Sequence, residues 1–255
     1  MQTGKGKHGF CTLALGRRYH LMAKDLIGDL EQYSPGTQII IYTDDPSFFD
    51  GISNVLAFKH RQVGVQHCYH DKRFAIAKGL SLFSAVTFID VDARLTAPLP
   101  VLNWAPGISG YYEDLVTHVS RFTPERLPTI EKLARKIDLD LSEAAWIGES
   151  LFTVCTDQNQ GEEFCELWGR LARYLELHKI QAGAGNAVGM AAAKLGLSVQ
   201  TDEVWRSLKQ IYNHTDASQR RPKSPWQNFR RRLAYHRRLN LTRFSALKDF
   251  EFYYF

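Results

Sequence analysis

Thr87 to Leu95 reads TFIDVDARL, an apolar, β-prone run that ends in two aspartates, Asp90 and Asp92. Neither aspartate favours a strand, and side by side at a strand end they repel each other unless something positive lies between them. In extended backbone alternate side chains share a face, so both carboxylates can reach one site. Mg²⁺ or Mn²⁺ takes hard oxygen ligands, one or two carboxylates together with substrate phosphates. A helix cap or a solvated turn is the plainer alternative for the same residues.

Upstream, FCTLAL (Phe10 to Leu15), closed by Gly16, predicts a buried strand. RRYHLMAKDLIGDLEQY follows as a helix with Met22, Leu26, Ile27, Leu30 and Tyr33 on one face, and SPG ends it. TQIIIYTDD is a second buried strand that also finishes in acids, Asp44 and Asp45. The strand–helix–strand order implies a parallel βαβ unit. A third strand is expected around Val55 to Lys59. HDKRFAIAKGLSLFSA then places Phe74, Ala77, Leu80 and Phe83 near helical spacing before the TFIDVD strand. Ligands of such sheets bind beyond the carboxyl ends of the strands, where the aspartates fall.

Downstream, a helix is expected after Pro128, and AAWIGESLFTVC predicts a strand interrupted by Gly148 and Glu149. Gly161 to His178 predicts an amphipathic helix with Phe164, Leu167, Trp168, Leu171 and Leu175 inward. QAGAGNAVGMAAAKLGLSV predicts a glycine-rich turn leading into a small-residue helix. No linker, repeat or low-complexity tract divides the chain.

Of the 255 residues 44% are apolar, ample for a large core, and no apolar run is long enough to cross a membrane. The four cysteines (Cys11, Cys68, Cys155, Cys165) are scattered, which points to free thiols in a reducing cytoplasm and against a structural zinc site. The net charge of +5 is uneven: Ala217 to Lys248 carries ten Lys/Arg and no acid, leaving 22 basic against 25 acidic residues up to Asp216. Such a tail suits an anionic surface.

The blocks from Phe10 to Asp45, DKRFAIAKGL and VTFIDVDARL together resemble nucleotide-sugar-dependent glycosyltransferases of the GT-A fold. The likeness is to retaining members, the glycogenin-like and lipopolysaccharide galactosyltransferase group or the blood-group transferase group. The resemblance implies an α/β fold with a Rossmann-like, mostly parallel central sheet flanked by helices. It implies a catalytic domain over residues 1–216, with a nucleotide-binding half (1–95) and an acceptor-side half (96–216), and a basic C-terminal appendage over 217–255. Its activity would be metal-dependent transfer of a sugar from a nucleotide diphosphate donor, a UDP-sugar, to a hydroxyl of a glycan acceptor, with retention.

By the same resemblance, Ala14, Leu15 and Gly16, with Tyr19, hold the base and ribose. Arg73 is the best match for the family's donor-directed cation, with Lys72 and Lys78 as companions. Cations at a helix start oppose its dipole, so an anion partner would explain Lys72 and Arg73, although ordinary surface charge would also produce them. Asp90 and Asp92 hold Mn²⁺ or Mg²⁺ on the diphosphate, His214 is a third metal ligand, and Lys223 contacts phosphate. Glu149 in WIGES and Asn186 in GAGNAV fall where the family places sugar-binding and catalytic groups. The acid expected at the second motif is absent, which counts against a nucleophile at Asn186, and close helix packing is the simpler use of those glycines. His67 and His70, in HCYH, match no supported ligand pattern in the sequence and are read as structural or surface residues.

In the tail, Phe229, Leu233 and Leu239 lie amid arginines, a pattern that fits a helix on an anionic membrane face or a solvated helix against the domain. No nucleic-acid-binding module accompanies it. The expected setting is cytoplasmic, peripheral to the inner membrane face, with a free or lipid-linked glycan as acceptor. Two rivals stand beside the transferase: a sugar nucleotidyltransferase, for which LALGRRYH is a poor signature loop, and a non-catalytic anion-binding protein on a transferase-like scaffold.

Overall fold

The computed structural model describes residues 6–215 and 224–255. Its strands are β1 (Gly6–Ala14), β2 (Ile39–Thr43), β3 (Val55–Lys59), β4 (Phe83–Ile89), β5 (Ala93–Leu95), β6 (Gly107–Asp114), β7 (Ala145–Cys155), β8 (Val199–Gln200) and β9 (Tyr212–His214). The helices are α1 (Arg17–Tyr33), α2 (Lys72–Leu80), α3 (Leu115–Phe122), α4 (Leu127–Lys136), α5 (Gln158–Leu177), α6 (Ala184–Lys194), α7 (Glu203–Gln210), α8 (Pro225–Ala246) and α9 (Phe250–Tyr254).

Seven strands form one sheet in the order β3-β2-β1-β4-β7-β6-β8, and β5 pairs with β9 in a small second sheet. Within the seven-stranded sheet the pairings among β1 to β4 are parallel and only β7 runs against its neighbours, while β5 and β9 pair antiparallel. The chain moves outward from β1 through β2 to β3, then returns to lay β4 on the other side of β1. The carboxyl ends of β1 and β4 therefore flank the switch point of the sheet, where α/β folds open a crevice. Because both faces of β1, β2 and β4 are covered, these strands are nearly unbroken apolar runs. One face packs against α2 to α6 around Trp168, Phe152 and Phe164, and the other against α1 and α7 around Leu26, Leu30 and Trp205.

Three local readings are corrected. β7 is one continuous strand, not an interrupted one, although its register with β6 slips: Gly110 faces Phe152 while Tyr112 faces Ile147. The slip takes up Gly148 and Glu149, the residues expected to break the strand. α5 starts at Gln158 rather than Gly161, because Asp157 caps it by accepting from the Gln160 N–H. In α2 the buried residues are Lys72, Ala75, Ile76, Gly79 and Leu80, so the helix is rotated from the expected Phe74/Ala77/Leu80 face. Gly79 sets that rotation, since a Cβ there would lie 2.7 Å from the Val86 methyls of β4.

Candidate active site

β4 delivers the aspartates. Its last paired residue is Ile89, and the Asp90 N–H still donates to the Ser150 carbonyl of β7 (2.9 Å). The chain then turns, with the Ala93 N–H donating back to the Asp90 carbonyl (3.0 Å). β5 is anchored to α1 by Asp29, which accepts both arms of the Arg94 guanidinium at 2.7 Å and the Leu95 N–H. Pairing of β5 with β9 sets His214 opposite Ala93. The result is a trio: Asp90, Asp92 and His214 each offer a ligand atom, all within 4.8 Å of one another. His214 Nε2 lies 3.1 Å from Asp92 Oδ1, and Thr215 donates to the Asp92 carbonyl from its N–H and its hydroxyl.

The trio floors a cleft of about 370 Å³ whose walls include Leu13, Leu15, Tyr19, Cys68, Tyr69, Lys72 and Glu149. Leu13 and Leu15 are alternate residues at the end of β1 and so project to one side. Lys72, 5% exposed, places its ammonium 2.9 Å from Asp90 Oδ1 and donates to the Glu149 carbonyl at 2.8 Å. Burial alone would lower its pKa, but the Asp90 and Glu149 carboxylates outweigh burial and raise it. The Glu149 carboxyl is pushed up by burial and by Asp90, against the pull of Lys72 and of the Ala184 N–H at the start of α6. Asp90 is likewise raised by its enclosure, with Lys72 opposing.

Of the residues singled out from the sequence, the structure gathers Leu15, Tyr19, Lys72, Asp90, Asp92, Glu149 and His214 in this cleft. Ala14 is buried in the core beneath it. Gly16 sits behind the wall, with φ +91° and its N–H donating to Asp44. Arg73 and Lys78 are not at the cleft, a correction that follows from the rotation of α2. Arg73 points toward α5, donating to the His70 carbonyl and stacking on Phe74. Lys78 lies over the Phe58 ring. The anion expected opposite the start of α2 is the Asp90 carboxylate, and Lys72 is the residue that meets it.

Asn186 is 2% exposed in the first turn of α6, outside the cleft lining, and its Oδ1 has no hydrogen-bond partner among the described residues. The glycines around it serve close packing: a Cβ on Gly189 would overlap the Ala145 carbonyl of β7. Lys223 lies outside the described residues. His70 is buried and accepts from Trp168 Nε1, while His67 stacks on Tyr69. Sequence reasoning missed Cys68 and Tyr69; the HCYH run was the available signal, and only its histidines had drawn attention.

No protein-family model matches the chain, and no curated protein matches it in sequence. Solved structures do. The galactosyltransferase LgtC, in complex with donor and acceptor sugar analogues, superposes with a TM-score of 0.55 at 10% identity, over 89% of this chain and 95% of its own. The bifunctional glycosyltransferase WbbM superposes with a TM-score of 0.52 at 10% identity, over 89% of this chain, which spans 48% of the WbbM chain. With its sheet order, its switch-point cleft and these neighbours, the chain has the GT-A fold of bacterial glycosyltransferases.

Proposed function

We propose that this protein transfers a sugar from a nucleotide diphosphate donor, a UDP-sugar, to a hydroxyl of a glycan, with retention of configuration. The observation that carries the reading is the Asp90–Asp92–His214 trio at the floor of a cleft at the switch point. Two carboxylates and an imidazole form a donor set that fits Mn²⁺ better than Mg²⁺, which takes oxygen ligands almost alone. When bound, such an ion would neutralise charge growing on the departing diphosphate. Leu13, Leu15 and Tyr19 offer an apolar shelf for a base and ribose, and the Lys72 ammonium adds fixed positive charge beside the diphosphate position. Glu149, a wall residue of the cleft, would orient a hydroxyl of the transferred sugar or of the acceptor. The neighbour LgtC, named a galactosyltransferase, makes galactose the first sugar to test.

The test is calorimetric titration of UDP, GDP and their common sugar conjugates with Mn²⁺ and with EDTA, on wild type and Asp92→Asn. Tight, metal-dependent binding lost in the variant supports the reading and names the base. Absence of nucleotide binding under both conditions would sink it.

The basic tail suits an anionic lipid face, which would place the acceptor on or near a membrane. α8 turns Trp226, Phe229, Leu233 and Phe244 outward and Leu247 follows just past its end, each more than half exposed, with Arg230 and Lys248 beside them. Among the described residues no helix is long and apolar enough to cross a membrane. Flotation with vesicles of phosphatidylglycerol but not phosphatidylcholine, lost in Phe229→Asp/Phe244→Asp, is the expected result. Concentration-dependent dimerisation without flotation would assign the stripe to a second copy instead.

A further inference from the structure

The segment between β3 and α2 brings Cys68 and Tyr69 to the cleft, and its own fastenings lie on the far side, away from the trio. Asp71, fully buried, accepts from the Val63 N–H (2.8 Å), the Gly64 N–H (2.9 Å) and His60 Nε2 (3.0 Å). Glu176 of α5, 6% exposed, accepts from the Val65 N–H at 2.9 Å. On the same residue Arg238 of α8 donates from Nε to the Val65 carbonyl at 3.0 Å, across 173 positions of sequence. Val65 is thus gripped at both backbone polar groups by side chains of two different helices. Gly64 permits the tight course of the segment, since a Cβ there would overlap the His67 carbonyl. Thr242 of α8, Glu176, Arg73 and Arg173 enclose a space of about 30 Å³ behind it.

A surface loop needs no such anchorage to connect a strand to a helix. Two buried carboxylates and a partly buried guanidinium that hold one short segment call for a role that depends on its position. The segment ends where the cleft begins: Cys68 and Tyr69 line the cleft, and Lys72, the first residue of α2, makes the ion pair with Asp90.

We propose that Arg238 and Glu176 are positioning residues for the donor cleft, acting through segment 61–70 to hold Cys68, Tyr69 and the start of α2 in place. The C-terminal basic helix is then part of the cleft's architecture: its outer face carries the exposed apolar stripe, and its inner flank holds the wall behind Tyr69. Deepening of the nucleotide-binding assignment in this way rests on the proposed transferase reading, but the anchorage itself can be tested without it, because Cys68 is a built-in reporter. It is half-buried, while Cys11 and Cys165 are buried, so Cys155→Ser leaves Cys68 as the one accessible thiol among the described residues.

In that background, the full chain is alkylated with a maleimide and the rate at Cys68 is followed by mass spectrometry, with and without Mn²⁺–UDP. Arg238→Gln is expected to raise the Cys68 rate about tenfold, the factor that corresponds to losing about 1.4 kcal/mol of local anchorage. It is also expected to weaken UDP binding several-fold. Arg237→Gln, the same charge change on an exposed neighbour, should alter neither. Arg238→Lys should restore part of the protection, because its ammonium can still donate to the Val65 carbonyl. An unchanged Cys68 rate in a folded Arg238→Gln variant overturns the proposal, as does an equal rise in Arg237→Gln. If Arg238→Gln frees Cys68 while Mn²⁺–UDP never protects it in the wild type, the anchorage stands and the nucleotide reading fails.

Discussion

Asp71, Lys72 and Arg73 are consecutive, yet they serve two clusters of enclosed charge that differ in how completely they are answered. On the far side, Asp71 is met by two backbone N–H groups and His60, and Glu176 by the Val65 N–H with Arg73, Arg173 and Arg238 close by. On the cleft side, three carboxylates (Asp90, Asp92 and Glu149) face one ammonium, that of Lys72, and one imidazole, that of His214, and Glu149 Oε2 has no partner among the described residues. A cluster that exists only to hold the fold has every reason to close its charges, because an unanswered buried group costs free energy. The cleft cluster holds more carboxylates than cations and stays partly open, which suits a site completed by a cation and its phosphate. Local violations of good packing chemistry concentrate where function requires them.

The sharpest way to break that contrast is at Asp71. Asp71→Ala strands the Val63 and Gly64 N–H groups and His60, and a loss of about 4 kcal/mol in stability is expected by chemical denaturation. Lys72→Met comes next. It leaves Asp90 and Glu149 without their cation, at a cost of about 3 kcal/mol, near the low end for breaking a buried pair because Asp90 remains 26% exposed. Lys72→Met should also weaken UDP binding, whereas Asp71→Asn should affect binding only through segment 61–70. Equal losses of binding in both variants would erase the distinction between scaffold and site.

A smaller effect is expected from pH. Burial raises the Glu176 carboxyl to about 7, against a usual value of 4.5, with the Val65 N–H as the chief opposing pull. Its folded form therefore binds a proton more tightly than the unfolded chain does. The stability this confers is fully present below about pH 4.5 and is lost as pH rises through about 7. Glu176→Gln should remove that slope, so the stability difference between wild type and variant should shift by about 3 kcal/mol across the window. A flat difference would mean that Arg73, Arg173 and Arg238 keep the carboxylate ionised throughout.

The same contrast marks what could be read from the sequence. β1, β2 and β4 were legible because strands buried on both faces are continuous apolar runs, and the position of Asp90 and Asp92 followed from the end of β4. The face of α2 was not, because the residue completing its buried stripe is a lysine, and an apolar periodicity passes over it. The family resemblance matches Arg73 best as the donor-directed cation, whereas the rotated helix brings Lys72 to the cleft. His214 reaches Asp92 through a pairing of β5 with β9 that spans 122 positions, which no local pattern encodes; family resemblance alone pointed to it. The grip of Arg238 on Val65 is longer still and left no trace in spacing or composition.

The smallest change tests the contrast most finely. Glu149 is held at a raised pKa by burial and by Asp90, so its ionised form is a burden on the folded state at neutral pH. Glu149→Gln keeps the shape of the side chain and removes the repulsion with Asp90. It should be as stable as wild type or more stable by about 1 kcal/mol, measured in EDTA, while slow hydrolysis of UDP-galactose, with water in place of the acceptor hydroxyl, falls by about 100-fold. Stability gained where activity is lost is the mark of a group kept for chemistry. Should Glu149→Gln instead lose stability on the scale expected for Asp71→Ala, Glu149 would belong with the scaffold, and the cleft would have to orient its sugar through other groups.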